Sequence, residues 1–308
     1  MTARIQQLRD NIAKVFLGAP SAVDMLLVSL LARGHVLIED VPGVGKTVLA
    51  NALAKSLDCS FARIQLTPDL LPSDVIGVSI YKRDAEKFVF KPGPIFANIV
   101  LADEINRTPP RTQTALLEAM SEATVSVDGV TYTLEQPFMV VATQNPHDFE
   151  GTYALPENQL DRFLMRINLG YPTPRDEARV LDLRPAGKTL HELAPVIDKT
   201  GVLELQLSTD AVRVDPALLD YIVAIANATR RHEQIQVGVS PRGSLALAQA
   251  ARATAVLHGR QYVIPEDITS NVEAVCAHRI VLRSVTPGRP DAAAAALRSV
   301  LQSVPSPA

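Results

Sequence analysis

The sequence predicts an α/β protein in which a parallel sheet, covered by helices on both faces, is followed by a small all-helical domain. Five short apolar segments alternate with helical patterns before about Pro172, and helical patterns rich in Ala and Leu follow. Strands that are buried on both faces read as continuous apolar runs, and parallel neighbours need crossover helices. The length of 308 residues suits two domains, which we expect at 1–175 and 176–308.

The first domain opens with two predicted helices, 4–17 and 20–32, whose apolar residues fall on one face. We expect Gly34 to end the second helix in the left-handed conformation that helix C-termini favour. Another helix should follow the first strand and run to about Leu57. The predicted strands of the sheet are His35–Glu39, Phe61–Leu66, Ile99–Ala102, Phe138–Thr143 and Leu164–Leu169.

Two further segments interrupt the alternation and predict β-hairpins near 78–92 and 124–134. In the first, Ser79–Lys82 and Phe88–Lys91 flank a polar turn. In the second, Asp128-Gly129 lies between alternating runs, which is a strong signal for a two-residue hairpin turn. Neither hairpin is needed to complete the sheet, so both are candidates for contacting another molecule.

The second domain is predicted to be helical, with a short strand at Gly201–Leu207. Ser240 and Pro241 are typical of a helix N-cap and the first helical residue. Glu266 and Asp267 fall in the first turn of another helix, where they complement its dipole. The predicted helices are Pro216–Thr229, Pro241–Leu257, Pro265–Val281 and Pro290–Leu301.

The composition argues against several classes of protein. The 30 basic and 33 acidic residues give a net charge of −3, which requires neither nucleic acid nor an anionic membrane as a partner. Cys59 and Cys276 are far apart and have apolar or small neighbours, so we expect buried free thiols. Charges interrupt the N-terminus, and the sequence has no apolar run of about 18 residues. We therefore expect a soluble cytoplasmic protein with no signal peptide and no membrane insertion.

The stretch Val36–Leu49 predicts a strand, a tight turn and the start of a helix. Gly43 and Gly45 let the backbone curl without a Cβ clash, so that successive N–H groups point inward at the N-terminus of the helix. Lys46 would lie beside β- and γ-phosphates, and the Thr47 hydroxyl would ligate Mg²⁺. The pattern looks like a Walker A phosphate loop. Its predicted nucleotide-binding residues are Pro42, Gly43, Val44, Gly45, Lys46, Thr47 and Val48.

A second motif ends the predicted central strand, where the apolar run Asn98–Ala102 leads into Asp103-Glu104. Asp103 would hold the Mg²⁺ shell and Glu104 would polarise a water, because a carboxylate held by metal cannot also act as the base. This is the form of a Walker B segment. Asn145 ends the neighbouring strand, where its amide could orient the attacking water or touch the γ-phosphate. A turn of Asn145 with Pro146 that caps the next helix is the alternative.

Two arginines are candidates for contacting phosphate from further away. Arg162 lies at a helix end, from which it cannot easily reach the nucleotide of its own subunit, but in a ring it could reach the neighbour's. The alternative for Arg162 is a salt bridge with Asp161 or Glu157. Arg242 lies in the first turn of a helix, where a cation opposes the dipole, and this suggests an anionic partner such as the γ-phosphate. The alternative for Arg242 is a solvated surface position. Two other arginines, Arg107 and Arg111, compete with Arg162 for its role.

Together these motifs resemble those of a MoxR-type AAA+ ATPase over nearly the whole chain. The residues that carry the resemblance are Glu39–Thr47, Thr67–Asp74, Asp103–Arg107, Leu116–Met120, Ala142–Pro146, Leu155–Phe163 and Ser240–Arg242. The resemblance implies an αβα P-loop domain with a helical lid, both hairpins, and a homo-oligomeric ring, usually a hexamer. Matched residue by residue, it implies Walker A roles for Lys46 and Thr47, Walker B roles for Asp103 and Glu104, and sensor 1 at Asn145. It also implies an arginine finger at Arg162 and sensor 2 at Arg242.

The resemblance further implies that ATP and Mg²⁺ are the cofactors and that ATP hydrolysis drives a chaperone-like activity. Such proteins remodel, mature or insert metal into a client protein complex, often with a partner that carries a von Willebrand factor A domain. Asp40 is the one clear departure, because the strict phosphate loop has glycine six residues before the lysine. We expect the loop to be held differently near Asp40, with no catalytic residue in doubt.

Three other functions are weaker interpretations of the same sequence. A nucleic-acid motor would grip its strand with the hairpins, but only the first hairpin carries cations, at Lys82, Arg83, Lys87 and Lys91. A nucleotide-gated scaffold that does not hydrolyse ATP would not need Glu104. A guanine-specific switch would need an Asn-Lys-x-Asp motif, which the sequence lacks.

Overall fold

The structure is a computed structural model, and it describes residues 2–145, 152–182, 190, 192–284 and 292–307. The described strands are β1 Val36–Glu39, β2 Phe61–Gln65, β3 Gly77–Lys82, β4 Lys87–Pro92, β5 Ile99–Asp103, β6 Thr124–Val127, β7 Val130–Thr133, β8 Met139–Gln144, β9 Met165–Ile167, β10 Ile235–Val237 and β11 Val281–Leu282. The described helices are α1 Thr2–Ala13, α2 Pro20–Leu31, α3 Lys46–Ser56, α4 Pro72–Ile76, α5 Pro110–Glu122, α6 Glu157–Leu160, α7 Pro174–Asp182, α8 Lys199–Asp210, α9 Pro216–Arg231, α10 Pro241–Leu257, α11 Pro265–Thr269, α12 Val272–Cys276 and α13 Ala292–Ser303.

A parallel sheet of five strands, in the order β2-β5-β8-β1-β9, forms the centre of the first domain. The predicted fold class is therefore confirmed. Along β1, Val36 and Ile38 face one apolar core and Leu37 faces the other, as expected for a strand that is covered on both sides. Because β5, β8 and β1 are neighbours and parallel, the residues that follow them meet at one edge of the sheet.

The two faces of the sheet carry different cores. Helices α1, α2 and α3 cover one face, and α5 covers the other. The first core continues without a break into the second domain, because α2 packs against α8 and α10. The predicted domain boundary near residue 175 stays a prediction. In the described part of the chain, no helix combines the length and the apolar character needed to cross a membrane.

Both predicted hairpins are present, as the antiparallel pairs β3–β4 and β6–β7. At the tip of the second, Asp128 and Gly129 have φ of 52° and 77°, the left-handed values that a type I′ turn requires. Phe90 of the first hairpin stacks on Tyr132 of the second, with ring centroids 4.1 Å apart. We call this unit the paired hairpins.

The prediction of a strand at Gly201–Leu207 is wrong, because this segment lies inside helix α8. The Asp198 carboxylate caps the helix by accepting the N–H of Gly201 at 2.8 Å. Val202 and Leu205 are buried three residues apart, a helical spacing.

The prediction of one continuous helix over Pro265–Val281 is also wrong, because α11 ends at Thr269 and α12 begins at Val272. The buried side chain of Asn271 donates to the carbonyl of Asp267 at 2.7 Å, the acceptor that a continuing helix would offer to the N–H of Asn271. Val281 instead enters β11, which pairs with β10, so the second domain also contains a small sheet.

The prediction that Gly34 adopts the left-handed conformation after α2 is wrong, because Arg33 has that conformation, with φ of 53°. Glycine is required at 34 for a different reason. A Cβ on Gly34 would lie 2.4 Å from the Cβ of Leu164, so only glycine allows this close approach.

The two cysteines are free thiols, as predicted, although only Cys276 is buried and Cys59 is partly exposed. Burial raises the pKa of Cys59 to about 11 and that of Cys276 to about 12. Both side chains are therefore protonated at neutral pH.

Candidate functional site

The phosphate loop joins β1 to α3 at the carboxyl edge of the sheet. Gly43 and Gly45 have φ of 89° and 95°, which are the left-handed values for which the sequence uses glycine. Gly45 is the N-cap residue of α3, so the free N–H groups of this helix lie at the loop. The ammonium of Lys46 donates to the carbonyl of Asp40 at 2.6 Å.

Asp40, the departure from the strict pattern, has defined contacts. One carboxylate oxygen, Oδ1, accepts the N–H of Val41 at 2.8 Å. The other, Oδ2, accepts the N–H groups of Leu169 and Gly170, just beyond β9, at 2.8 and 2.7 Å. The loop is therefore held at this point by a side chain.

The acidic pair lines the same cleft as the loop. Asp103 is buried at the end of β5, and Glu104 follows with φ of 60°, a left-handed value that is uncommon for a residue other than glycine. The hydroxyl of Thr143 on β8 donates to Asp103 Oδ1 at 3.2 Å and accepts the N–H of Glu104 at 2.9 Å. One side chain of the neighbouring strand thus orients both acidic residues.

The edge strand β2 supplies two side chains that the sequence analysis missed. Arg63 Nε donates to Asp103 Oδ2 at 2.7 Å, and Gln65 Nε2 donates to Glu104 Oε2 at 3.3 Å. Glu104 Oε2 also lies 3.3 Å from Arg107 Nε, and Arg107 is one of the two arginines that compete with Arg162 for the finger role. Both carboxylates therefore already have polar partners.

These groups line one open cleft of about 320 Å³, which we call the phosphate-loop cleft. Besides the predicted residues, Arg63, Gln65 and Thr143 line the cleft. Val44, which was predicted to bind nucleotide, packs against the apolar core instead. The residues that line the cleft are Pro42, Gly43, Gly45, Lys46, Thr47, Val48, Arg63, Gln65, Asp103, Glu104, Thr143 and Asn145.

The donor set of the cleft fits a nucleotide phosphate with its magnesium ion. Helix N–H groups and the ammonium of Lys46 match phosphate oxygens. The hydroxyl of Thr47 and the carboxylate of Asp103 are the oxygen ligands that Mg²⁺ prefers, and Mg²⁺ commonly takes few protein ligands besides phosphates and water. Asn145 is buried at the end of β8 and presents an amide to the same space.

Arg162 and Arg242 do not line this cleft. The guanidinium of Arg162 bonds to the carbonyl of Leu117 and to the Ser121 hydroxyl near the end of α5. Arg242 forms an ion pair with Asp161 at 3.6 Å, and its side chain remains 54% exposed. The alternatives weighed for Arg162, a pair with Asp161 or Glu157, are not among its described contacts.

A further buried arginine, Arg279, joins the second domain to the segment before β9. Its guanidinium donates to the Asp161 carboxylate at 2.6 Å and to the carbonyls of Phe163 and Leu164 at 2.7 and 3.0 Å. Burial lowers the pKa of Arg279, and the charge of Asp161 opposes this effect. Burial and the charge of Arg279 hold the pKa of His278 well below its ordinary value. No motif indicated Arg279 in the sequence.

Comparisons with known proteins agree with this geometry. A family model described as "ATPase family associated with various cellular activities" matches residues 35–165, and one described as "AAA lid domain" matches residues 227–299. The uncharacterised protein YeaC of Bacillus subtilis is 51% identical, over 97% of this chain and 93% of its own length. Chaperone MoxR1 of Mycobacterium tuberculosis is 43% identical, over 88% of this chain and 74% of its own length.

A solved structure is similar over the whole chain. The crystal structure of a protein from Cytophaga hutchinsonii superposes with a TM-score of 0.91 at 37% identity, and the match covers 100% of this chain and 96% of that one. The matched family models contain the phosphate loop, the acidic pair and residues 227–299 of the second domain. The chain therefore belongs to the MoxR family of AAA+ ATPases.

Proposed function

We propose that this protein hydrolyses ATP with Mg²⁺ at the phosphate-loop cleft, within a ring of subunits, and that hydrolysis drives the remodelling or activation of a client protein. The observation that carries the proposal is that Glu104, Asp103 and Lys46 line one cleft. We place this activity in the cytoplasm and expect the ring to be a hexamer.

The chemistry follows from the roles of the side chains. Lys46 and the N–H groups of α3 bind and orient the phosphates, and Thr47 and Asp103 would hold the Mg²⁺ ion. Bound Mg²⁺ would neutralise charge on the β- and γ-phosphate oxygens. Glu104 accepts a proton from, or polarises, the attacking water, and Asn145 orients that water. Gln65 and Thr143 fix the position of Glu104 through its carboxylate and its N–H.

A ring is proposed because Arg162 and Arg242, the two predicted phosphate-contacting arginines, do not line the cleft of their own chain. Phosphoryl transfer is accelerated by an arginine near the γ-phosphate, and a finger supplied by a second subunit can contribute about 10³–10⁵ in rate. Arg162 is the preferred finger, with Arg111 as the competitor. Arg107 fits this role less well, because it contacts Glu104 of its own chain. Arg242 pairs with Asp161, the residue before Arg162, and we keep it as the sensor 2 candidate for the γ-phosphate.

The client activity rests on the relative named Chaperone MoxR1 and on the exposed tip of the paired hairpins. Tyr81 and Phe88 at this tip are 49% and 71% exposed. A partner with a von Willebrand factor A domain, and metal or cofactor insertion into the client, are parts of the proposal that the family resemblance alone supports.

A nucleic-acid motor is the second candidate, because the side chains of Lys82, Arg83 and Lys87 near the tip of the first hairpin are exposed. The described second hairpin adds no cation, and this argues against a strand-tracking role. Salt-sensitive binding to single- or double-stranded DNA would favour this candidate.

The first experiment measures ATP turnover against protein concentration, with molar mass read by light scattering in the same samples. Specific activity that rises as a ring-sized species forms supports shared active sites. Turnover that is flat across assembly contradicts them. ATP binding without turnover in the assembled protein would favour the alternative of a nucleotide-gated scaffold that does not hydrolyse ATP.

A complementation assay then identifies the finger. Arg162→Ala and Glu104→Gln subunits should each be inactive alone, and mixing them should restore turnover. The reason is that a Glu104→Gln subunit still supplies its finger to an Arg162→Ala neighbour. Arg298→Ala removes an exposed arginine paired with Glu273 and is the control, with turnover unchanged. If Arg162→Ala alone keeps full turnover and mixing brings no further gain, Arg162 is excluded as the finger. The test then moves to Arg111.

A further inference from the structure

The pairing of β1 with β9 ends where the phosphate loop begins. Backbone pairing runs in register from Val36 with Met165 to Ile38 with Ile167. Beyond this point β1 stays paired only with β8, through Glu39 and the N–H of Asp40, and in the described bonds no strand accepts the N–H groups of Leu169 and Gly170 after β9. The carboxylate of Asp40 accepts these hydrogen bonds: its Oδ2 accepts the N–H groups of Leu169 and Gly170 at 2.8 and 2.7 Å.

The other atoms of Asp40 hold the phosphate loop. Its Oδ1 accepts the N–H of Val41, and its backbone carbonyl accepts the ammonium of Lys46. A single residue therefore connects Lys46 to the backbone beyond β9. Glycine, the residue of the strict pattern, could keep the carbonyl contact with Lys46 but has no side chain to reach Leu169 and Gly170.

The residues held by Asp40 are the exit from the sheet toward the second domain. We call Leu169–Tyr171 the exit segment. Gly170 has φ of 67°, the side chain of Tyr171 is 80% exposed, and α7 begins three residues later at Pro174. Among the described hydrogen bonds of the exit segment, those to Asp40 are charge-assisted, and such bonds are stronger than neutral ones.

We propose that Asp40 is a positioning residue that couples nucleotide at Lys46 to the exit segment and so to the second domain. The inference rests on the proposed binding of nucleotide. When phosphate draws the Lys46 ammonium away from the Asp40 carbonyl, the turn at Asp40 shifts and its carboxylate carries Leu169 and Gly170 with it. Without the carboxylate, nucleotide still binds but the exit segment does not respond.

The test uses a fluorescent reporter in the exit segment. The sequence contains no tryptophan, so Tyr171→Trp introduces a single one at an exposed position that disturbs no packing. Binding of Mg²⁺–AMP-PNP is measured by calorimetry, and the emission of the reporter is recorded in the same titration range. The reporter is placed in four full-length backgrounds: the unchanged chain, Asp40→Asn, Asp40→Gly and Glu39→Gln.

Glu39→Gln is the matched control, because Glu39 is the adjacent acidic residue and pairs with Arg166 of β9 at 3.2 Å without contacting the exit segment in the described bonds. Asp40→Gly restores the strict pattern, so the loop should form even if Asp40→Asn does not fold. We expect the unchanged chain and Glu39→Gln to show the emission change. Both Asp40 variants should bind within about tenfold of the unchanged chain and lose that change.

Three results would overturn the proposal. If calorimetry shows binding while the reporter is silent in the unchanged chain, the exit segment is not coupled to the loop. If Asp40→Gly binds nucleotide and keeps the emission change, the coupling does not pass through the carboxylate. If the unchanged chain binds no nucleotide at all, the proposed ATPase function itself fails, and calorimetry distinguishes this result from the other two.

Discussion

Arg63 Nε donates to the Asp103 carboxylate at 2.7 Å, so a cation of the protein is paired with a carboxylate that would hold Mg²⁺. The Arg63 side chain is 51% exposed and that of Asp103 is 9% exposed. The arginine can therefore move into solvent, whereas the carboxylate cannot. Metal binding has to displace Arg63 or share Asp103 with it.

Replacing Arg63 with Gln should tighten the binding of divalent metal, because the guanidinium no longer competes for Asp103. Exposed ion pairs contribute about 0.2–1 kcal/mol, so the apparent dissociation constant for Mn²⁺ should fall by up to about fivefold. Electron paramagnetic resonance of Mn²⁺ without nucleotide measures this directly. Arg179→Gln removes an exposed arginine paired with Asp176 on α7, and it should leave Mn²⁺ binding unchanged. Weaker binding in Arg63→Gln would mean that Arg63 supports the metal site.

Replacing Glu104 with Gln should separate binding from hydrolysis. The amide keeps the shape of the side chain but cannot take a proton, and a general base contributes about 10²–10⁴ in rate. We expect turnover to fall by that factor while the calorimetric affinity for Mg²⁺–ATP stays similar. Glu122→Gln changes an exposed acid on α5 and should retain full turnover. Retention of more than a tenth of the activity by Glu104→Gln would assign the water-activating role to another group.

Replacing Asp161 with Ala should destabilise the fold strongly, because Arg279 is 3% exposed and loses its described carboxylate partner. Removing one member of a buried ion pair costs about 3–5 kcal/mol, and we expect about 3 kcal/mol because Asp161 is partly exposed. Urea unfolding gives this value. The matched control is Glu204→Ala, which breaks an exposed pair with Arg4 and should cost less than about 1 kcal/mol. Equal losses in the two variants would contradict the buried role of Arg279.

Stability should fall as the pH is lowered from about 6.5 to 4, in part because of His35. This side chain is fully buried between α5 and β8, with Nε2 bonded to the Met120 carbonyl and Nδ1 accepting the N–H of Val140. Burial lowers the pKa of His35 from 6.5 to about 4. The unfolded chain binds the proton first, so folding loses up to about 3 kcal/mol across this window.

Thermal unfolding at several pH values measures the His35 contribution. His35→Gln should show a shallower fall in stability between pH 6.5 and 4 than the unchanged chain. His258→Gln alters an exposed histidine and should keep the original slope. A His35→Gln slope equal to that of the unchanged chain would mean that the acid sensitivity arises elsewhere, for example at His278.

The fold was predictable because its signals are local. Apolar runs alternate with helical patterns, and Asp128-Gly129 marks its hairpin without help from the rest of the chain. The errors had two causes, a contact distant in sequence for Gly34 and a local bond from a side chain to the backbone for Asn271. Leu164 explains why Gly34 is glycine, and the side chain of Asn271 interrupts the helix predicted over Pro265–Val281.

The part of the site that lies in short motifs could likewise be predicted from the sequence. Lys46, Thr47, Asp103 and Glu104 follow strands in short motifs, so the sequence alone brings them to one edge. Arg63, Gln65 and Thr143 point into the cleft only because β2 and β8 flank β5, and the order of strands is a tertiary property. Asp161 and Arg279 are 118 residues apart, and no pattern links them.

The stack between Phe90 and Tyr132 makes the two hairpins a single module for protein engineering. Deleting either hairpin would expose the aromatic face of the other, and the variant would be prone to aggregation. A loss of the proposed client activity after such a deletion would therefore not identify a hairpin as the binding site of a client. Point changes at the tip, at Tyr81 and Phe88, leave the stack intact, and a transplant to another protein should move residues 77–92 and 124–133 together.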